Sequence, residues 1–312
     1  MSARAPRALL IAGLSIALLG VPAGCDDEIP PPGEVLDGGS IDGAAPASSA
    51  GLSPTVMPAL VGPMTPLSPP NPLGLPPRRI KLDPGRRVFT VSSEMLARAK
   101  LGTTLVFYAA TVVGFEGEDL IIEGKGGPNY KVHPGYVIPV PDAPKIRVGQ
   151  AVLTEYASAM RHAAVTKIAK GRVHVRYTDM DPRTPEGQLK QKETRFVPQA
   201  DGLQPGNFAA AREGEEWRHV LLISPAVEGD KKRWFALGYG SAARLVDEAS
   251  LRPIPVHWSP RPGTPVWAEW VGTMRKATVQ SADDPGFFTV KYERAGRPAT
   301  VGWGLIMAPA ED

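Results

Sequence analysis

The sequence predicts a mainly β fold in which up to four small barrels pack together after a disordered linker. All 21 aromatic residues lie beyond position 88, so the packed core belongs to the later part of the chain. Polar and apolar residues alternate there with period two, as in residues 172–177, which is typical of half-buried strands. Four segments of similar pattern also begin near Gly102, Gly149, Gly206 and Gly263, at intervals of 47, 57 and 57 residues. Such recurrence predicts repeated supersecondary units.

The N-terminal residues have the order of charges and apolar residues that is typical of an export signal. Arg4 and Arg7 form a basic start, residues 8–21 are mainly apolar, and two small residues precede Cys25. The apolar run is too short for a membrane-spanning helix, which needs about 20 residues. We therefore interpret residues 1–24 as a signal peptide. Cys25 either has a role in processing and anchoring, or it is an incidental cysteine after an ordinary signal peptide.

Residues 21–25, Val-Pro-Ala-Gly-Cys, resemble the lipobox of bacterial lipoproteins, with proline at position 22 where leucine is usual. The resemblance implies that Cys25 becomes the mature N-terminus and carries acyl chains such as palmitate. Two or more acyl chains would anchor the chain stably in a membrane. The expected location is the bacterial cell envelope, at the inner or outer membrane, with the folded part in the periplasm or at the cell surface. Cys25 is the only cysteine, so no intramolecular disulfide can form.

We interpret residues 25–77 as a lipidated cysteine followed by a disordered, Pro-rich linker. Residues 26–77 contain 13 Pro, 7 Gly and 5 Ser, and no aromatic residue. A segment of this composition buries too little apolar surface to offset the entropy of ordering. The alternative is that the linker packs against the folded units.

Charge changes at the end of this linker. The linker holds six acidic residues and no basic residue, whereas the chain from position 78 onward holds 33 basic and 26 acidic residues, a net charge of +7. The positive electrostatic field of this net charge would favour binding to anionic wall polymers or lipid headgroups. The equally weighted alternative is that these charges only form a solvated surface. The export signal and the moderate charge argue against a nucleic-acid partner.

The folded part divides into segments that each open on a glycine and close on an apolar-Pro phrase. A glycine eases a tight turn, and a proline cannot donate to a sheet ladder, so we expect it at a strand end or bulge. A short helix with a serine cap is predicted over 92–100. The predicted segments are 78–140, with this helix, then 145–200, 205–256 and 262–312. The closing phrases are 137–139, 196–198, 251–253 and 306–309.

The second and fourth segments resemble SH3-like barrels of the Tudor type. The strand order of that family is matched by residues 148–152, Tyr156, 163–165 and 173–179 in the second segment, and by Trp270, 277–279 and 290–292 in the fourth. A barrel of this size is marginally stable alone, so we expect the units to pack as two pairs or a compact array. One large β-sandwich is the alternative fold.

Tudor domains hold methylated lysine or arginine in an aromatic cage through cation–π attraction. Where many Tudor domains place a further aromatic residue, this sequence has His162 and Lys276. The alternative is that the aromatic residues are core residues. The resemblance implies cage candidates at Tyr156, Tyr177, Trp270 and Tyr292.

The sequence shows no catalytic motif and no motif for a metal or cofactor. Its five histidines have no metal-ligand spacing, and neither a Gly-x-Ser-x-Gly elbow nor a phosphate-binding loop is present. The predicted function is therefore that of a membrane-anchored, non-enzymatic binding or scaffold module whose partner is an envelope protein or a wall polymer. The alternative is an envelope hydrolase that acts on wall glycan or peptide through dispersed carboxylates.

Substitution of Cys25 tests the anchor. We expect Cys25→Ala to abolish incorporation of labelled palmitate and to prevent processing by the lipoprotein signal peptidase, because the acyl acceptor is lost. Metabolic labelling and the mass of the mature chain measure both effects. A variant that is still acylated and membrane-bound would show that the lipobox interpretation is wrong.

Overall fold

The computed structural model of the chain describes residues 69–124, 127–180, 186–283, 286–294 and 297–309. The predicted signal peptide, Cys25 and the linker as far as residue 68 lie outside the described residues. In the described ranges, no helix has the length and apolar character needed to cross a membrane.

The described chain is mainly β-strand, and its strands form two ten-stranded sheets. The first sheet contains β1 (Arg87–Val91), β2 (Phe107–Glu116), β3 (Asp119–Ile122), β4 (Tyr130–Val132), β5 (Val137–Pro139), β6 (Ala151–Tyr156), β7 (Ala159–Ala169), β8 (Arg172–Tyr177), β9 (Gly187–Lys190) and β10 (Val197–Pro198). The second contains β11 (Phe208–Glu213), β12 (Glu216–Glu228), β13 (Lys231–Leu237), β14 (Ala243–Asp247), β15 (Leu251–Pro253), β16 (Pro265–Trp270), β17 (Thr273–Asp283), β18 (Phe287–Tyr292), β19 (Ala299–Gly302) and β20 (Ile306–Met307). One α-helix, α1 (Ser93–Ala97), lies between β1 and β2, and single 3-10 turns span Pro134–Tyr136, Tyr239–Ser241 and Glu248–Ser250.

Each sheet consists of two five-stranded antiparallel units, which we call units 1 to 4 in chain order. In every unit the strands pair in the order fifth, first, second, third, fourth. Four copies of one strand order agree with the predicted repeat and not with a single large sandwich. The prediction of closed barrels is not met, because no ladder among the described residues joins the fourth strand of a unit to its fifth.

A β-bulge in the second strand of each unit fixes a common register. The bulges fall after Val112, Val165, Leu222 and Val279. In unit 2 the N–H of the opening Gly149 donates to the Val165 carbonyl at 2.8 Å, and the Val165 N–H donates to the Gln150 carbonyl at 2.9 Å. Gly206 and Gly263 make the equivalent bonds in units 3 and 4. The opening glycines therefore adopt positive φ, of 77° to 88°, to turn the chain into the first strand.

The sequence pattern assigned Gly102 as the opening glycine of the first segment, and this prediction is wrong. The equivalent residue of unit 1 is Gly85, whose φ is 85° and whose N–H donates to the Val112 carbonyl at 2.7 Å. Gly102 instead donates to the carbonyl of Ala243 in unit 3. The error arose because α1 and its flanking loops are inserted between β1 and β2 and lengthen this unit alone. The predicted serine cap is present, since the Ser92 hydroxyl accepts from the Met95 N–H at 3.4 Å.

The closing prolines lie at strand ends, as predicted. Pro139, Pro198 and Pro253 are the last residues of β5, β10 and β15, and Pro309 follows β20. Each closing strand pairs with the first strand of its own unit. In units 1 to 3 the residue after the proline also donates to that first strand, through the N–H groups of Val140, Gln199 and Ile254.

The last residues of the predicted linker are ordered against unit 1, so the prediction of disorder is wrong for residues 69–77. Leu75 is buried in the core of that unit. Asn71 closes a turn by bonding both the N–H and the carbonyl of Leu75 at 2.8 Å. The N–H of Leu73 donates to the Tyr136 hydroxyl at 3.0 Å. One buried leucine and these hydrogen bonds offset an entropy cost that composition alone predicts to be unfavourable.

The units pack as two joined pairs, as expected for small units. Tyr108 of β2 is opposite Ala159 of β7, and Arg218 of β12 is opposite Thr273 of β17. These two junctions occupy equivalent positions, so the second pair of units repeats the first. The pairs also share apolar surface, and the rings of Tyr136 in unit 1 and Phe235 in unit 3 meet at 5.3 Å.

Two opening glycines provide a matched test of this packing. Gly206→Ala places a Cβ that overlaps the buried side chain of Leu153, whereas a Cβ at Gly263 meets nothing within 4 Å. Both glycines have similar positive φ, so both substitutions carry about 1–2 kcal/mol of backbone strain. We expect Gly206→Ala to lose a further ~1–3 kcal/mol by overpacking. Urea denaturation measures the difference, and equal losses would contradict the contact with Leu153.

Candidate binding site

Tyr156 and Tyr177 form an edge-to-face pair at one end of unit 2. Their ring centroids are 5.3 Å apart and the ring planes meet at 77°. Tyr156 is the last residue of β6 and is 40% exposed, whereas Tyr177 is the last residue of β8 and is 4% exposed. Ala157 and Ser158 connect β6 to β7 and both have positive φ, as in a type I′ hairpin turn. The tight turn leaves Tyr156 at the end of the hairpin, with its side chain partly exposed.

The Tyr177 hydroxyl is fixed as a hydrogen-bond donor. It donates to the carbonyl of Glu155 at 3.0 Å. Burial raises the pKa of Tyr177 to about 12, and the nearby groups Tyr156, Glu155 and Asp179 act in the same direction. The phenol is therefore neutral at physiological pH, and its ring serves as a fixed wall behind Tyr156.

Unit 4 repeats this arrangement with Trp270 and Tyr292. Their rings are 4.8 Å apart at 71°, Trp270 is 37% exposed and Tyr292 is 4% exposed. Val271 and Gly272, both with positive φ, form the hairpin turn, and the Tyr292 hydroxyl donates to the Glu269 carbonyl. Burial raises the pKa of Tyr292 above its usual value. The structure thus brings together each of the two pairs of aromatic residues that the sequence indicated.

Units 1 and 3 have no aromatic pair at the equivalent positions. Counted from the bulge, these positions are Ser92 and Gly124 in unit 1, and Glu213 and Gly238 in unit 3. In unit 3 an ion pair between Arg244 and Glu213 lies there, with the Arg244 side chain packed on Gly238. The shared strand order therefore forms without aromatic rings at this position.

Carboxylates accompany the exposed rings. Glu155 accepts from the Arg195 N–H at 3.0 Å and lies 3.7 Å from the Arg195 guanidinium. Asp179 Oδ1 is buried and has no hydrogen-bond partner among the described residues, while its Oδ2 accepts from His162. The sequence analysis did not select these acids. The available signal was the repeated dipeptide of glutamate followed by an aromatic residue, at Glu155-Tyr156 and again at 269–270.

His162 and Lys276, which stand where Tudor domains often have another aromatic residue, are not part of either pair. Lys276 is exposed on β17. His162 is buried between units: its Nδ1 faces Asp179 Oδ2 at 3.0 Å and its Nε2 donates to the Gly206 carbonyl at 2.7 Å.

The His162 ring of unit 2 is part of a stack with two rings of unit 3. It lies 4.0 Å from the ring of Phe208, which in turn lies 4.5 Å from the ring of His219. His219 Nε2 donates to the Gly304 carbonyl of unit 4 at 2.9 Å. These histidines are explained by packing between units.

A cleft of about 470 Å³ lies between the opening turn of unit 2 and the segment that leads to unit 3. Its polar side chains are Arg147, Gln150, Gln199, Asp201 and His257. The hydrolase alternative predicted convergent carboxylates in a cleft, but this cleft contains one, and that residue accepts from the backbone N–H of residue 256. Within the described ranges, no cluster of three or more His, Cys, Asp or Glu side chains is placed to hold a metal ion.

Comparison with known proteins gives little beyond this geometry. No protein-family model matches the sequence, and no curated protein matches it significantly. Among solved structures, the chain is similar to the four MBT repeats of Drosophila melanogaster Sfmbt in complex with the peptide RHR(me)KVLR. The identity is 10%, and the match covers 70% of this chain and 90% of that one with a TM-score of 0.15. A TM-score this low does not establish a common fold, so the repeat description rests on the ladders of this chain.

The environment of His219 predicts acid sensitivity. Burial lowers the pKa of His219 and nearby His162 acts in the same direction, whereas Glu269, Asp179 and the bond to Gly304 oppose the shift. When the pKa of a histidine is lower in the folded state than in the unfolded state, the protein loses stability as the pH falls below the unfolded-state pKa, which is about 6.5. A single titrating group changes the free energy of unfolding by at most about 1.4 kcal/mol per pH unit, because it binds one proton.

We expect His219→Gln to flatten the decline in the free energy of unfolding between pH 7 and pH 5, since the amide retains a donor for Gly304 but does not titrate. Denaturant unfolding across this range measures the slope. Gln191→Ala, an exposed change that removes no titrating group, is the control and should retain the wild-type slope. A remaining slope is expected from His133, whose pKa is also lowered by burial. Equal slopes for wild type and His219→Gln would contradict the assignment.

Proposed function

We propose that the chain is a non-enzymatic binding module whose second and fourth units each hold a cationic side chain of a protein or peptide partner. The ligand site of unit 2 would be Tyr156 and Tyr177, and that of unit 4 would be Trp270 and Tyr292. A lysine, an arginine or a methylated form of either has the required charge and shape.

The observation that carries this proposal is the presence of the same exposed pair in two units and its absence from the other two. If the ring pair were needed to fold the unit, units 1 and 3 would need it too. Those units place a serine cap and an ion pair at the equivalent positions. The exposed ring faces of Tyr156 and Trp270 are therefore available for a ligand and not required for packing.

The electrostatics of unit 2 favour a cation over a neutral ligand. A ring face attracts positive charge through its quadrupole, and the attraction increases where the cation is partly desolvated. The carboxylates of Glu155 and Asp179 lie close enough to Tyr177 to raise its pKa, so they also contribute negative potential at the pair. In unit 4, Glu269 raises the pKa of Tyr292 in the same way, and Arg275 opposes it.

Two finer features belong to the same proposal. We infer that the units are open SH3-like barrels of the Tudor type, which is supported by their repeated strand order and bulge. We also infer that acylation of Cys25 anchors the chain in the cell envelope, where the partner would be an envelope protein or a wall polymer that carries amino groups. The lipobox-like residues before Cys25 support this location.

Titration of the full chain with three peptides tests the site. The peptides are identical except for one position, which holds trimethyl-lysine, lysine or the neutral isostere norleucine. We expect the two cationic peptides to bind with a stoichiometry of two, measured by isothermal titration calorimetry. Tyr156→Ala or Trp270→Ala should reduce the stoichiometry to one, and the double variant should not bind.

Two controls separate binding from folding. Phe115→Ala removes an exposed aromatic ring of unit 1 outside both pairs and should leave both sites intact. Tyr156→Phe keeps the ring and should retain binding at unit 2. Equal affinity for the norleucine peptide, or binding by the double alanine variant, would overturn the proposal.

A further inference from the structure

A concentration of positive charge lies at the end of unit 2 remote from the tyrosine pair. We call it the basic tip, and its residues are Lys167, Lys170, Arg172, Lys190 and Lys192. All five side chains are exposed. Glu193 is the acid beside them in the described part of the tip, and it pairs with Lys190 at 3.0 Å. The basic tip therefore has a clear excess of positive charge.

The sheet register places like charges directly opposite one another. Arg172 of β8 is the ladder partner of Lys190 of β9, so the two side chains share one face. Lys167 of β7 is the partner of His174 on the same face. Directly opposed like charges destabilise an antiparallel pair, and Glu193 offsets this repulsion only in part because it pairs with Lys190 alone.

Backbone hydrogen bonds hold the charges together. The Gln191 N–H donates to the Gly171 carbonyl at 2.9 Å, which joins the loop after β9 to the turn between β7 and β8. The Arg87 guanidinium of unit 1 donates to the carbonyl of Lys192 at 3.3 Å and to the next two carbonyls. The loop that carries Lys192 is thus fixed beside Lys170.

Units 3 and 4 have different residues at the cross-strand position that is equivalent to Arg172 and Lys190. In unit 3 the equivalent cross-strand pair is Arg233 and Asp247, and Glu228 also bonds to Arg233. In unit 4 it is Phe287 and Gly302, and the guanidinium of Arg176 in unit 2 covers the Phe287 ring at 3.8 Å. An opposed pair of bases is therefore specific to unit 2 among these units and is not a requirement of the shared strand order.

We propose that the basic tip is a docking surface for an anionic phospholipid bilayer. A hairpin tip is convex, so it can touch a planar array of headgroups at several points but cannot enclose a small anion. Four of the five bases are lysines, whose mobile, compact charges suit a diffuse negative surface more than bidentate recognition. Residues 167–173 and 188–193 contain no aromatic side chain for stacking on single-stranded nucleic acid. This inference goes beyond the proposed peptide site and uses different residues.

Co-sedimentation of the full chain with vesicles tests the proposal. The vesicles are phosphatidylcholine alone or phosphatidylcholine with phosphatidylglycerol. The apolar run at residues 8–21 is common to all variants, so the quantity of interest is the increase in binding that phosphatidylglycerol produces. We expect Lys170→Glu/Arg172→Glu to reduce this increase at least about thirtyfold, since each basic residue near an anionic surface contributes about fivefold. Added salt should weaken wild-type binding in the same assay.

The matched control is Lys231→Glu/Lys232→Glu. It changes the net charge by the same amount at the equivalent hairpin of unit 3, where Glu228 and Asp230 are mixed with the bases. This control should retain most of the response to phosphatidylglycerol. The Arg172→Glu change also creates an opposite-charge pair with Lys190, so the tip variant should unfold at the same or higher urea concentration than wild type. Loss of binding cannot then be attributed to unfolding.

Three results would overturn the proposal. They are an unchanged response to phosphatidylglycerol in the tip variant, an equal loss in the control, and binding to duplex DNA that the tip variant loses while its vesicle binding persists. Peptide titration of the tip variant distinguishes this failure from failure of the proposed function, because the aromatic pairs are unaltered.

Discussion

The ring of Phe208 lies where three of the four units meet, and the arrangement of the units depends on the way it is enclosed. His162 of unit 2 covers one side and His219 of unit 3 covers the other. Gly304 of unit 4 approaches so closely that a Cβ there would overlap the Phe208 ring. Each imidazole is in turn held by the backbone carbonyl of another unit. Units of this size are only marginally stable alone, so such shared contacts add to the stability of each unit.

The aromatic pairs depend on the same packing. The Ala109 N–H of unit 1 donates to the Ser158 carbonyl in the turn beside Tyr156. The His219 N–H makes the equivalent bond to the Gly272 carbonyl, beside Trp270. Each exposed ring is therefore carried by a turn that is tied to the neighbouring unit of its pair. Loss of contact between units would alter the geometry of both candidate sites before it unfolded the strands that carry them.

Local features of the fold could be predicted from the sequence, whereas features that depend on distant contacts could not. The opening glycines of units 2 to 4, the closing prolines and the Ser92 cap follow from backbone constraints that act within a few residues. Gly85 was missed because an inserted helix disturbed the spacing on which the repeat was recognised. The order of residues 69–77 depends on the insertion of Leu75 into a core formed by later residues, which composition does not reveal.

The candidate site shows the same division. The resemblance to Tudor domains supplied all four aromatic candidates, Tyr156, Tyr177, Trp270 and Tyr292, whereas the difference in exposure within each pair is known only from the structure. The environment of His162, which stands where many Tudor domains have a further aromatic residue, could not be predicted, because it is created by Phe208 and Gly206 of a different unit. Closure of the barrels was likewise inferred from the family resemblance, and the described ladders stop at the fourth and fifth strands.

The two proposed surfaces of unit 2 lie at opposite ends of one strand. β7 begins at Ala159, directly after the turn beside Tyr156, and ends at Ala169, directly before the turn of the basic tip. An extended strand of this length spans about 35 Å, and the bulge shortens that distance by bending the strand. A planar anionic surface at the tip therefore leaves the tyrosine pair on the far side of the unit, open to a partner. Occupancy of one surface does not obstruct the other, so the two proposals require no competition between membrane and peptide.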